Sequence, residues 1–234
     1  MRAVFLEEID SKSKDIVITG DDAFHLIKVV RLKTSENILL LNGKGLMLYG
    51  RVENITKKQV IVSVDRFEFV EKKSHFTLLC GKPKKNTCEE IIRLSAELGL
   101  SHVYFWNSEF AQQGDVSADR IKSILKNAME QSNLPWCPKI FFINNLKEST
   151  ELMQNFSTLP LYIFHNGESS SSPSKNNLEN CIFSIGPEGG FSKIDLELLQ
   201  SLSLKHYFIS IDTPIMTTPT AVACAAGFLH GFKF

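Results

Sequence analysis

With 234 residues, 43% of them hydrophobic and 22% charged, the chain can bury a sizeable core and is excluded from the disordered class. Its 26 basic and 26 acidic residues cancel, which excludes the large overall positive charge of many nucleic-acid binders but leaves room for a local basic patch. The five cysteines, Cys80, Cys88, Cys137, Cys181 and Cys224, form no CxxC or Cys/His cluster, so small buried thiols in a reducing compartment are expected in place of a disulfide framework or zinc site.

The opening residues MRAVFLEEIDSK lack the apolar run of a secretory signal. No stretch approaches the roughly 20 apolar residues of a membrane span, and a soluble cytoplasmic protein is expected. Residues 1–70 read as β-rich, with short apolar runs at Asp15–Ile18 and Asn37–Leu41. Asn42-Gly43 is a hairpin-turn signal. Val60, Val62 and Val64 alternate with Ile61, Ser63 and Asp65 as in a half-buried strand. One helix fits residues 21–31, with Asp21 or Asp22 as its cap. A small barrel closes this many short strands. The polar run Phe69–Ser74 ends the β pattern, so the expected division is a β-barrel over residues 1–72 and a second domain over 73–234.

Past the boundary the period changes. A strand at Phe76–Cys80 precedes Thr87-Cys88-Glu89-Glu90, which reads as a capping box. Ile91, Leu94 and Leu98 share one helical face, and Gly99 stops the helix. A strand at His102–Trp106 is followed by a helix marked by Ile121, Ile124, Leu125, Ala128 and Met129. Further strands fit 139–143, 160–164, 181–185 and 207–211, with helices from 192 and 219. This alternation indicates an α/β domain with a parallel sheet. The Gly167–Ser174 run is of low complexity and reads as a surface insertion.

Two runs carry the chemistry. Ile185-Gly186-Pro187-Glu188-Gly189-Gly190-Phe191-Ser192 follows a continuous apolar strand and precedes a helix. That is the carboxyl end of a buried strand, where open α/β sheets bind ligands. Its three glycines allow close approach of backbone to a ligand, and Ser192 with Asp195 can cap the helix. It is neither GxGxxG nor GxxxxGK[ST], so dinucleotide and P-loop readings are weak. The second run, Ile209–Ala221, also leads from strand to helix, with Thr218 as the expected N-cap and Pro219 as the first helical residue. The small residues Ala221–Ala226 suit close packing, either internal or against another subunit.

In this order, the two runs resemble the RsmE family of 16S ribosomal-RNA (uracil-N3) methyltransferases of the SPOUT class. The resemblance extends to Met1–Phe5, His25–Arg31, Lys84, Ala96–Gly99 and Glu130-Gln131-Ser132. It implies a C-terminal SPOUT trefoil-knot domain with a parallel sheet and a small N-terminal PUA-like β-barrel that binds RNA. It implies a homodimer, the small ribosomal subunit as partner, and S-adenosyl-L-methionine as cofactor with no metal.

By the same resemblance, the cofactor would lie against Phe164, His165, Ile185, Gly186, Pro187, Gly189, Gly190, Ile211, Ile215, Met216 and Thr220. Arg2, His25, Arg31, Lys84, Glu130 and Gln131 would face RNA. Lys84 and Glu188 are the candidates for catalysis. Lys84 reads equally as a solvated lysine of its Lys82–Lys85 cluster, and Glu188 as a partner for loop amides.

The chain departs from the family pattern at Phe110, Leu134 and Thr217, where the family has arginine, and at Pro219, where it has glutamate. Arginine makes paired hydrogen bonds to phosphates and bases that these side chains cannot. Two alternatives therefore stand beside the methyltransferase: a diverged SPOUT-fold protein that binds cofactor or RNA without efficient transfer, and a methyltransferase for a different RNA.

Overall fold

The computed structural model describes residues 1–72, 74–148, 158–167, 180–202 and 204–231. Most of the low-complexity run, from Glu168 to Ser174, lies outside them. The chain forms two compact units. The first comprises Met1–Lys72 and also Lys126–Cys137, and the second comprises Lys73–Leu125 and Pro138–Phe234. The single boundary expected at residue 72 thus leaves out a segment that returns to the first unit.

In the first unit, β1 (Arg2–Phe5), β2 (Asp15–Ile18), β3 (Asn37–Leu41), β4 (Leu46–Ile55) and β5 (Val60–Phe69) form one sheet ordered β1-β3-β4-β5-β2. β1 runs parallel to β3, and the other pairs are antiparallel. This is a PUA-like half-barrel with β1 and β2 at its edges.

The Asn42-Gly43 turn forms as its sequence suggests. Asn42 Oδ1 accepts the N–H groups of Lys44 (2.8 Å) and Leu46 (3.1 Å), and Gly43 has φ 74°. The pairing of β4 with β5 shifts register next to Gly50, where a Cβ would lie 2.5 Å from the Ser63 carbonyl oxygen. Ile38, Leu40, Leu48, Val60 and Val62 fill the core. The returning segment seats Trp136 against Gly45, with the indole N–H donating to the Val70 carbonyl at 2.9 Å. The Lys72 ammonium stands 5.9 Å from the Trp136 ring, and burial pulls its pKa down to about 8.

The helix expected over 21–31 is shorter and changes pitch. α1 (Gly20–Phe24) passes into a π-helical turn over His25–Val29, which closes with Val30 N–H donating to the His25 carbonyl at 3.0 Å. Arg31 then takes φ 54° and ends the run. Apolar spacing alone cannot separate the two pitches, because Ala23 and Leu26 are buried in either. Asp21 and Asp22 lie in the first turn, and Thr19 holds the cap position.

The second unit contains β6 (His75–Gly81), α2 (Lys85–Glu97), β7 (His102–Trp106), the start of α3 (Ala118–Ser132), β8 (Lys139–Ile143), β9 (Leu161–Phe164), β10 (Asn180–Ile185), α4 (Lys193–Ser201), β11 (His206–Ile209) and α5 (Thr218–Gly231). Among the described residues its six strands are all parallel, in the order β11-β9-β10-β6-β7-β8. Strands covered on both faces are predominantly apolar, as in the fully buried Cys181–Ile185 and Phe76–Gly81, where only Ser184 and Thr77 are polar.

α2 buries Cys88, Ile91, Ile92, Ser95 and Ala96, while Leu94 and Leu98 are only half-buried. The helix begins before the supposed capping box. Lys84 is its N-cap, and Thr87 already lies inside it. Gly99, at φ 67°, ends it as expected. None of the five cysteines is in a disulfide, and Cys80, Cys88 and Cys181 are buried. Burial pushes the Cys88 thiol up to about 12. Among the described residues no helix is long and apolar enough to cross a membrane, and no group of His, Cys, Asp or Glu side chains could hold a metal ion.

Candidate functional site

β11, β9 and β10 are neighbours, and their parallel direction brings their carboxyl ends to one edge of the sheet. The loops leaving them meet there around a cleft of about 360 Å³, within the range of small-molecule sites. The ladder between β9 and β11 is extended by His165 N–H donating to the Ile209 carbonyl at 3.0 Å, which fixes the first loop against the third.

The loop after β10 depends on its glycines for its path. Gly190 N–H donates to the Pro187 carbonyl at 2.8 Å, closing a turn in which Gly190 has φ 73°. A Cβ on Gly186 would stand 2.7–2.9 Å from backbone atoms of Gly190 and Phe191, so the turn folds directly over Gly186. Pro187 in turn packs on Gly81, where a Cβ would come within 2.5 Å of its ring. On Gly190 a Cβ would meet nothing within 4 Å, and that residue lines the cleft.

Two carboxylates fasten this loop. Glu188 Oε1 accepts the Thr87 hydroxyl at 3.1 Å and the Lys84 N–H at 3.3 Å. It thereby supplies the start of α2 with the cap that Lys84 does not, where the exposed amides favour negative charge. Asp195 is buried and completes the expected capping box with Ser192. Its Oδ2 accepts the Ser192 N–H and its Oδ1 the Glu109 N–H, both at 3.0 Å. The second bond ties the loop after β7 to the start of α4. That loop carries Phe110, whose Cβ and ring would lie 3.1–3.3 Å from a Cβ on Gly189.

Of the residues expected to meet a cofactor, all line the cleft except Thr220. The first turn of α5 explains the difference. Thr218 and Ala221 are three residues apart and share the face lining the cleft. Thr220 lies off that face, and its hydroxyl pairs with that of Thr217 at 2.9 Å. Thr218 is the first helical residue, not the cap, and Thr217 precedes the helix. Asn166, Phe191 and Ile209 also line the cleft. Their positions beside the strand ends and the glycine run were the available signal.

The donor set suits a ligand with a flat apolar part and a polar remainder. Ile185, Ile209, Ile211, Ile215 and Met216 supply apolar walls, and the glycines at 186, 189 and 190 let a ligand come close to the backbone. The open position at Gly190 is space that any side chain would enter. Lys84 does not line the cleft. Its side chain is exposed at the start of α2, with its backbone joined to Glu188.

Within the first unit, Arg2, His25, Glu130 and Gln131 line one hollow of about 950 Å³, together with exposed Phe24 and Val29. Arg31 is exposed but does not line it. Glu130 accepts the Phe5 N–H at 2.9 Å, and burial holds its carboxyl above the ordinary glutamate value. Lys126 pairs with Asp22 in the same hollow.

Residues 70–230 match a family described as "RNA methyltransferase domain", and residues 18–65 match one described as "RNA methyltransferase PUA domain". The chain is 25% identical over 221 residues to ribosomal RNA small subunit methyltransferase E 1 of Borreliella burgdorferi, covering 90% of each chain. It is 27% identical over 218 residues to ribosomal RNA small subunit methyltransferase E of Mesomycoplasma hyopneumoniae, covering 91% of this chain and 93% of that one. Its fold is that of the Neisseria gonorrhoeae ribosomal RNA small subunit methyltransferase E solved bound to S-adenosylmethionine. The TM-score is 0.83 at 21% identity, over 99% of this chain and 97% of that one. With the all-parallel sheet, the glycine-lined cleft at its carboxyl edge and a match that spans nearly all of the second unit, the chain belongs to the RNA methyltransferase family.

Proposed function

We propose that this chain transfers a methyl group from S-adenosyl-L-methionine to N3 of a uridine in 16S rRNA within the small ribosomal subunit, acting as a cytoplasmic homodimer. The observation that carries the reading is the cleft itself. Three parallel strand ends converge on it, and its wall folds over Gly186 so closely that any side chain there would collide with the turn. The names of the relatives, ribosomal RNA small subunit methyltransferase E, support the substrate class.

Ile185, Gly186, Pro187, Gly189, Gly190, Ile211, Ile215 and Met216 would hold the cofactor, with Phe164 and His165 at the end of β9. When bound, its sulfonium supplies an already activated methyl group, so the protein's task is alignment and exclusion of water. Glu188 serves that task by position. Its carboxylate is engaged by Thr87 and Lys84 and holds the glycine loop to α2. Lys84, exposed at the same helix start, is placed to meet an RNA phosphate or the uracil as N3 loses its proton. Arg2, His25, Glu130 and Gln131 in the hollow of the first unit, with Arg31 beyond it, form the RNA-reading surface. Small residues on α5 suit a subunit contact.

The test is transfer of a labelled methyl group to small subunits lacking the modification, followed by nucleoside analysis. Label at uridine N3 is the expected result. A second reading is favoured by the apolar or uncharged residues at Phe110, Thr217 and Pro219: binding without efficient transfer. Cofactor affinity without incorporation would establish it, and label on another nucleoside would move the reaction to a different RNA.

A further inference from the structure

Phe110 is a large aromatic side chain left 45% exposed at a place where the backbone is firmly held. Four hydrogen bonds fix its loop. Glu109 N–H donates to Asp195 (3.0 Å), Ala111 N–H to the Ser108 carbonyl (3.0 Å), Gln112 N–H to the Lys82 carbonyl (2.9 Å) and Gln112 Nε2 to the Phe110 carbonyl (3.3 Å). The ring is seated on Gly189, which also lines the cleft, so it stands one residue's width from that cleft. Phe191 turns inward and stacks on Trp106 with centroids 6.1 Å apart, whereas Phe110 stays at the surface. Its neighbours Glu109, Gln112, Gln113 and Asp115 are all exposed and polar. Within its own loop Phe110 is thus the one large exposed apolar side chain, and its flat ring matches the face of a base.

Unpaired RNA bases are characteristically held by stacking on aromatic side chains. The geometry points to Phe110 as the residue that positions the acceptor, its ring taking the face of an unpaired pyrimidine base beside the methyl-donor cleft. The inference rests on the methyltransfer reading above. It also gives the replacement of the family's arginine a direction: recognition here moves from charge to stacking.

The test compares wild type, Phe110→Leu and Phe110→Trp. It measures labelled methyl transfer to small subunits lacking the modification, S-adenosylmethionine affinity by calorimetry, thermal midpoint and sedimentation. Phe110→Leu keeps an apolar seat on Gly189 but removes the ring. It should lose roughly tenfold to a hundredfold in kcat/KM, with cofactor affinity, midpoint and oligomeric state unchanged, and Phe110→Trp should restore activity. Three results would overturn the inference alone: an active Phe110→Leu variant, a loss that Phe110→Trp fails to rescue, or a shift of Phe110→Leu to a smaller species. A wild-type protein that transfers no methyl group would overturn the proposed reaction and this inference together.

Discussion

Replacing Gly186 by alanine should damage the fold of the cleft and its affinity together. The added Cβ would stand 2.7 Å from the Gly190 carbonyl carbon, 2.9 Å from its Cα and 2.9 Å from the Phe191 nitrogen. All three are backbone atoms, so no side chain can swing aside. Relief requires the turn to lift off the end of β10, which strains the Gly190 N–H to Pro187 carbonyl bond. Overpacking of this kind costs about 1–3 kcal/mol, and loss of the turn bond adds about 1 kcal/mol. For a chain of this size the midpoint should fall by roughly 4–16 °C. Because the displaced residues are the cleft wall, S-adenosylmethionine affinity should fall by at least about tenfold, equivalent to about 1.4 kcal/mol. Thermal unfolding and calorimetric titration read the two effects separately. A Gly186→Ala protein with both the wild-type midpoint and the wild-type affinity would refute the assignment of this turn as the cofactor wall.

Gly190→Val should separate the two effects. A Cβ there meets nothing, so the folding cost is the left-handed φ of 73°, about 1–2 kcal/mol, while the side chain fills the cleft and titration should detect no cofactor binding. Asp195→Ala strands the Ser192 and Glu109 amides and should cost about 2–3 kcal/mol in denaturant unfolding, with Asp195→Asn losing less because one acceptor oxygen remains. Lys72 titrates at about 8 in the folded protein because burial penalises its charge, against about 10.4 when unfolded. The folded state releases the proton first, so this group lowers stability below pH about 8, and the loss is recovered as pH rises to about 10.4. The stability difference between wild type and Lys72→Met should shift in favour of wild type across that window, and a difference independent of pH would refute the assignment.

The parts legible in the sequence were those whose physics is local. Cys181–Ile185 and Phe76–Cys80 read as buried strands because both faces are covered and no polar alternation interrupts them. Ser192 and Asp195 read as a capping box because both partners lie within one turn. Thr87 misled for the converse reason. Its spacing to Glu90 imitates a capping box, but the acceptor at the start of α2 is Glu188, about a hundred residues away in the chain. The place of β9 between β11 and β10, which gathers the three loops, is likewise a long-range choice that no window of sequence contains. The same holds for Trp136, whose partners Gly45 and Val70 draw residues 126–137 into the first unit. The resemblance that implies a cofactor contact for Thr220 carries no side-chain direction, and its hydroxyl pairs with that of Thr217 off the cleft-lining face.

The replaced arginines show how this fold accepts a change in chemistry. Each replacement has local structural work. Leu134 N–H donates to the Met129 carbonyl at 3.3 Å across Asn133, which holds φ 54°. This is the Schellman closure of α3, with asparagine in the left-handed position and an apolar residue where one commonly packs. Thr217 shares its hydroxyl with Thr220 ahead of α5, and Pro219 occupies the first turn, where a missing N–H costs no hydrogen bond. Phe110 lies on Gly189. The hydrogen bonds that hold the Gly186–Gly190 wall come from Asp195, Glu188 and the backbone turn, with Phe110 packed on Gly189. The hydrogen bonds that shape the Gly186–Gly190 wall therefore do not involve the side chains of Leu134, Thr217 or Pro219, so changes at those three positions leave these bonds in place.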